Sequence, residues 1–204
     1  MSCRVFCVRL LIVVLFCAAT VSLRAMSVRP PSFPELVAEA STVARARVAD
    51  VRSGFVSTPE GQRVLKTFVT FTTLRPLKGA PPEQFTLEFL GGEAKGERWT
   101  VPGMPAFNAG EEEFIFSTDD KHAVCPLVGA MHGRYRVVND VALQRTYVAR
   151  DNRAPLHQIE DVSLPPDTAT TRALPNPSTA LSPEEFERRI LAEVQRPTIS
   201  TNTR

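Results

Sequence analysis

The chain has 204 residues, of which 43% are hydrophobic and 23% charged, and its formal net charge is +2. That length suits one domain with extensions, and a near-neutral charge leaves no electrostatic footprint for a nucleic-acid partner. Three of the four cysteines (Cys3, Cys7 and Cys17) lie in the first 25 residues, so a body stapled by its own disulfides is excluded once those residues are removed.

Residues 1–25 read as a secretion signal. Arg4 and Arg9 supply a positive start, and the apolar run Leu10–Ala19 is too short to span a bilayer comfortably. Ala25 offers a small residue at a cleavage point, with Ser22 competing. Cleavage removes Arg4, Arg9 and Arg24 and no acidic group, so 24 basic residues less three leave 21 against 22 acidic, a net charge of −1. Lipidation at Cys17 is disfavoured because Phe16 stands where a lipoprotein signal needs a small residue. The expectation is export to the periplasm or beyond, with no membrane span after the signal is cut.

From Ser32 to Ala40 the pattern predicts a short helix, with Ser32 as N-cap and Glu35 completing a capping box. From Thr42 to Val51 the period shifts to two, and Gly54 with Thr58–Gly61 predicts a loop. A long strand follows over Arg63–Leu74, with Leu65, Val69 and Phe71 on one face and Phe68 and Leu74 on the other. Pro76–Gly79 predicts a turn. Phe85, Leu87 and Phe89 alternate in the next strand, which Gly91-Gly92 ends. Shorter strands are expected at Arg98–Val101, Glu112–Ser117, Ala123–Val128, Tyr135–Val138 and Leu143–Ala149.

Short strands separated by turn chemistry predict a mainly β fold, a small antiparallel barrel of residues 26–155 with a short helix before it. Residues 156–181, rich in Pro, Thr and Ser, read as a linker. At 182–196 Ser182, Pro183 and Glu185 start a helix whose stripe is Phe186, Ile190, Leu191 and Val194, expected to dock on the body. Residues 197–204 read as a disordered tail.

His122, Cys125 and His132 form the one grouping that suits a metal or an activated thiol. A thiolate and two imidazoles fit zinc but lack a fourth ligand, and burial of Cys125 between Val124 and Pro126 is the plainer reading. Glu111-Glu112-Glu113 lacks the spacing of a calcium loop and reads as a solvated turn. Gly91–Gly96 lacks the Lys-Ser/Thr and the helix of a phosphate loop. Trp99, Met104 and Phe107 flank a Pro/Gly loop and are the candidate partner contact, with core packing or loop anchoring as the competing role. No motif asks for a cofactor or a metal.

Leu77-Lys78-Gly79, Gly91-Gly92, Pro102-Gly103-Met104-Pro105-Ala106-Phe107-Asn108-Ala109-Gly110-Glu111 and the closing Leu181–Phe186 segment resemble a class of exported bacterial proteins. More remotely, the layout is similar to netrin-like domains, including tissue inhibitors of metalloproteinases, and this likeness implies an OB-type barrel. Those inhibitors use a cysteine at the mature N-terminus, whereas here the first cysteine after Met26 is Cys125, so no functional residue is carried over. The leading expectation is an exported, non-catalytic module that binds another exported or envelope protein. The alternatives are a Cys/His-dependent hydrolase or metal-dependent enzyme, and a structural component of an envelope assembly tethered by the linker and final helix.

Overall fold

The computed structural model describes residues 29–119, 124–165 and 176–196. The expected signal, the middle of the linker, the tail and His122 lie outside them. Helix α1 (Phe33–Glu39) starts where its capping box dictates. The Ser32 hydroxyl accepts from the Glu35 N–H, and the Glu35 carboxylate accepts from the Ser32 N–H at 2.7 Å.

Strands β1 (Thr42–Ser57) and β2 (Arg63–Lys78) follow, then β3 (Gln84–Leu90), β4 (Gly92–Ala94), β5 (Glu97–Trp99), β6 (Glu112–Ser117), β7 (Arg134–Asp140) and β8 (Arg145–Arg150); helix α2 (Pro183–Val194) closes the order. A six-stranded antiparallel sheet has the order β3-β2-β1-β6-β7-β8, and β4 pairs only with β5.

The mainly β architecture with a helix before and after it is as the pattern predicts, but several boundaries differ. Gly54 does not break β1. It pairs with Lys66, and the chain turns later, where the Thr58 N–H bonds the Gln62 carbonyl and Gly61 takes φ 78°. Pro76 does not end β2 either: it pairs with Ala44 between two register shifts in which β2 carries the extra residue, Leu77 on one side and Leu74 on the other. Lys95 and Gly96, both at positive φ, make a two-residue hairpin turn between β4 and β5. Of the stretch expected as a strand at 123–128, the described residues 124–128 form a bridge from Leu127 to Ser117 in place of a strand.

The sheet buries side chains on both faces. On the helix side, Phe114 and Phe116 of β6, Tyr135 of β7 and Val43 of β1 meet Leu36 of α1 and Phe186 and Ile190 of α2. The Phe186 ring meets Phe114 edge-on at 5.0 Å and Tyr135 at 5.2 Å. On the loop side, Ile115, Val48, Val69, Phe71 and Phe89 pack under Phe107 and Leu127.

The two ends of the sheet do not join. The free side of β8 is taken by residues 154–156 and by Leu181, so among the described residues the sheet is open rather than a closed barrel. Both ends of the expected linker are therefore packed: Leu156 and Val162 are buried in the helix-side core, and Leu181 beside them.

Docking of α2 is the part of this fold most exposed to test. Phe186→Ala empties a site lined by rings from α1, β6 and β7, and the expected loss is about 3–5 kcal/mol in urea denaturation. Truncation after Pro177 should lower the melting temperature at least as far; an unchanged midpoint would mean that the helix is a removable tether.

Candidate functional site

The most unusual side chain in the sheet is Glu113, which is completely buried in β6. Alternation puts it on the loop side with Ile115, and the β6–β7 register sets Arg134 opposite Ile115 and Arg136 opposite Glu113. Arg134 therefore reaches Glu113 diagonally. It donates from Nε to Oε2 at 3.1 Å and from Nη2 to Oε1 at 2.6 Å, a bidentate pair with no solvent exposure on either side.

The other Arg134 donors are equally engaged. Nη1 donates to Asp151 at 2.8 Å and to the Ala106 carbonyl at 2.5 Å, and Nη2 also donates to Glu111 at 3.3 Å. Its guanidinium lies 4.1 Å from the Phe107 ring centroid. Arg136 adds bonds to Glu111 and the Ala106 carbonyl. Every N–H of Arg134 and both Glu113 oxygens are thus occupied, so the pair holds charge rather than exchanging protons.

Desolvation raises the Glu113 carboxyl above its ordinary value, with the Arg134 bonds and charge opposing it. Desolvation lowers Arg134, but its bond to Glu113 and the surrounding carboxylates outweigh that, and its value rises. For Glu111 burial acts upward, yet Asn108 and the two guanidiniums prevail and its value falls.

A second network lies on the helix side. Arg45 of β1 pairs with Glu112 of β6 at 2.5 Å and with Glu187 of α2 at 3.0 Å, and Arg75 of β2 joins Glu187 at 3.1 Å. The acidic run is therefore not a solvated turn: Glu112 and Glu113 are strand residues committed to opposite faces. Glu187 of α2, held by Arg45 and Arg75, is likewise buried. For Glu113 the missed signal was alternation, which aims it with Ile115 and gives it an arginine on the neighbouring strand.

Of the residues singled out from sequence, Phe107 is buried in the loop-side core and Met104 packs against it. Trp99 alone of the three keeps a substantial surface, 37% exposed. Cys125 is half-buried at the edge of the same core, and desolvation raises its thiol, opposed by the Leu127 N–H. His132 sits in the turn Ala130–Gly133 and borders a space of about 10 Å³, one water's worth, with Arg134, Tyr135, Arg150 and Asp151. No hydrogen bond joins it to Cys125, and no group of three or more His, Cys, Asp or Glu suited to a metal ion is found among the described residues.

Comparison with known proteins finds no family model that matches the chain, and no matching curated protein.

Two outcomes follow from this centre. Glu113→Ala strands the Arg134 charge and should destabilise by about 3–5 kcal/mol, and the Glu113→Leu/Arg134→Met pair should recover part of that loss because neither charge stays buried. Denaturation of the single and paired variants measures both. His132 is held below the ordinary imidazole value by desolvation and by Arg150, with Asp151 opposing. The unfolded chain then binds the proton first, so this contribution is complete above the unfolded value and is lost as pH falls from there through the lower folded one. Stability should drop from pH 7 to pH 5 with a slope that His132→Gln reduces.

Proposed function

We propose that the chain is an exported, non-catalytic protein-binding module whose contact surface centres on Trp99. The observation that carries this reading is an indole left over a third exposed while its surroundings hold it in place. Trp99 meets Phe55 of β1 edge-on, with centroids 6.1 Å apart, and the Arg63 guanidinium stacks 3.4 Å from the Phe55 ring centroid. Arg63 also pairs with Glu97 of β5 at 3.1 Å.

The β4–β5 hairpin reaches this position through two glycines. Gly91 and Gly92 have φ 94° and 127°; a Cβ on the first would strike the Trp99 carbonyl, and on the second the Ser53 and Thr67 side chains. Tryptophan and arginine dominate the energetics of protein contacts, and holding them in place beforehand lowers the ordering cost of binding.

The same proposal takes the fold as netrin-like, of OB type. Its support is the order of one short helix and two long strands, the register shifts between β1 and β2, and the Leu77–Gly79 and Pro102–Glu111 motifs. Export, to the periplasm or outside the cell, rests on Arg4, Arg9 and the apolar run that follows.

Trp99→Ala and Arg63→Ala test the surface. Each should weaken a partner captured from envelope extracts by tenfold or more, roughly 1.4 kcal/mol, while the melting temperature holds. Partner capture that survives both substitutions, or a catalytic turnover lost on Cys125→Ser, would displace this reading.

A further inference from the structure

The six-stranded sheet treats its two ends differently. At β8 the chain closes its own edge: the Arg150 N–H bonds the Ala154 carbonyl, the Leu156 N–H bonds Val148, and the Val148 N–H bonds Leu181. At β3 it does not. Bonds from the Thr73 N–H to the Glu83 carbonyl and from the Gly91 N–H to the Leu65 carbonyl set the phase of the ladder. Phe85, Leu87 and Phe89 therefore turn their main-chain groups to β2, and Gln84, Thr86 and Glu88 turn theirs outward.

This open stretch is bounded symmetrically. The next outward residue on one side, Leu90, already donates to the Val124 carbonyl at 3.3 Å, and the next on the other side is Pro82, which has no N–H. Between them no hydrogen bond occupies the outward main-chain groups of Gln84, Thr86 and Glu88 among the described residues. The strand contains no bulge, glycine, proline or lysine, the usual protections of an exposed edge.

We propose that β3 pairs with β3 of a second copy of this chain, antiparallel, with the two-fold axis at Thr86. In that register Thr86 faces Thr86, and Gln84 of each copy faces Glu88 of the other, so no like charges oppose each other. Each of these pairs exchanges two main-chain bonds, about six in all. Phe85 of each copy comes opposite Leu87 of the other on the loop side, where both are only partly buried in the single chain. Centring the pair instead on Glu88 sets two carboxylates face to face, and its next bonding position meets the occupied Leu90 N–H. Centring it on Gln84 brings Pro82 opposite Thr86 and loses a donor. The register is therefore specified by the sequence of the edge itself, which is what favours a second copy over a foreign strand.

Sedimentation equilibrium of the purified chain over a wide concentration range tests this. The expected result is a concentration-dependent dimer that Thr86→Pro abolishes, since that residue's N–H points away from β2 and its loss leaves the intramolecular ladder intact. Circular dichroism and the melting temperature verify that this variant folds. Gln84→Glu, opposite Glu88 of the other copy, should weaken the dimer roughly threefold or more, and Gln84→Lys should tighten it by a similar factor. A chain monomeric at every concentration, a dimer indifferent to Thr86→Pro, or Gln84 variants that both shift it the same way would each overturn the proposal. So would a monomer whose Thr86 amide becomes protected only when a strand of another protein is added.

Discussion

A carboxylate with no contact to water sits in the middle of this protein, and the loop side of the sheet is arranged around keeping it neutralised. Burying an ion of that size costs several kcal/mol unless its partner and geometry are nearly ideal. Glu113 meets that demand through one guanidinium, and Arg134 in turn needs acceptors for every N–H it carries. Supplying them fixes Asp151 just past β8, draws the Ala106 carbonyl inward and seats the Phe107 ring under the cation. The connection from Trp99 to β6 is thus tied down by electrostatics as much as by apolar contact. A pair of this kind adds little net stability over a hydrophobic substitute; here it ties β6 to β7 across the register that sets Arg134 diagonal to Glu113.

The other face of the same strand is organised by rings. Phe114 and Phe116 receive Phe186 from a helix that arrives from the far end of the chain, and Arg45 and Arg75 hold its Glu187. Strand β6 is consequently pinned from above and below and flanked by β1 and β7. The far halves of β1 and β2, with β3 and the β4–β5 hairpin, extend from that centre and carry the features that suit contact with other molecules. Trp99 with its stacked neighbours lies on one surface of this region, and the unpaired groups of β3 lie along its rim. Rigidity and availability are therefore separated along the sheet, with the most enclosed strand in the middle and the most open one at an end.

Much of this architecture was legible in the chain. The capping residues Ser32 and Ser182 set both helix starts, because a hydroxyl that satisfies an orphan N–H is a local signal. Strand β6 was readable from Phe114 and Phe116 alternating against Ile115. Glycines and prolines misled where strand pairing carried the chain past them: Gly54 sits in unbroken register opposite Lys66, and Pro76 pairs with Ala44 beside a bulge that depends on the neighbouring strand. The ionic centre was missed because three adjacent glutamates look solvated until alternation sends Glu112 and Glu113 to opposite faces. Phe107, weighed as a partner contact, is a core ring: its partners Phe71, Phe89 and Arg134 come from three separate strands, and no local pattern announces them.

Native-state hydrogen exchange bears most directly on the central claim, that β6 is the fixed element from which the rest of the sheet extends. The account predicts that the amides of Phe114, Ile115 and Phe116 exchange only through global unfolding, with the denaturant dependence of the whole transition. The Thr86 amide, which has no partner among the described residues of the single chain, should exchange without any opening, and the bonded amides of the β4–β5 hairpin should exchange through local opening. Exchange of the β6 amides by a low-energy local opening, while β2 and β3 remain protected, would contradict it.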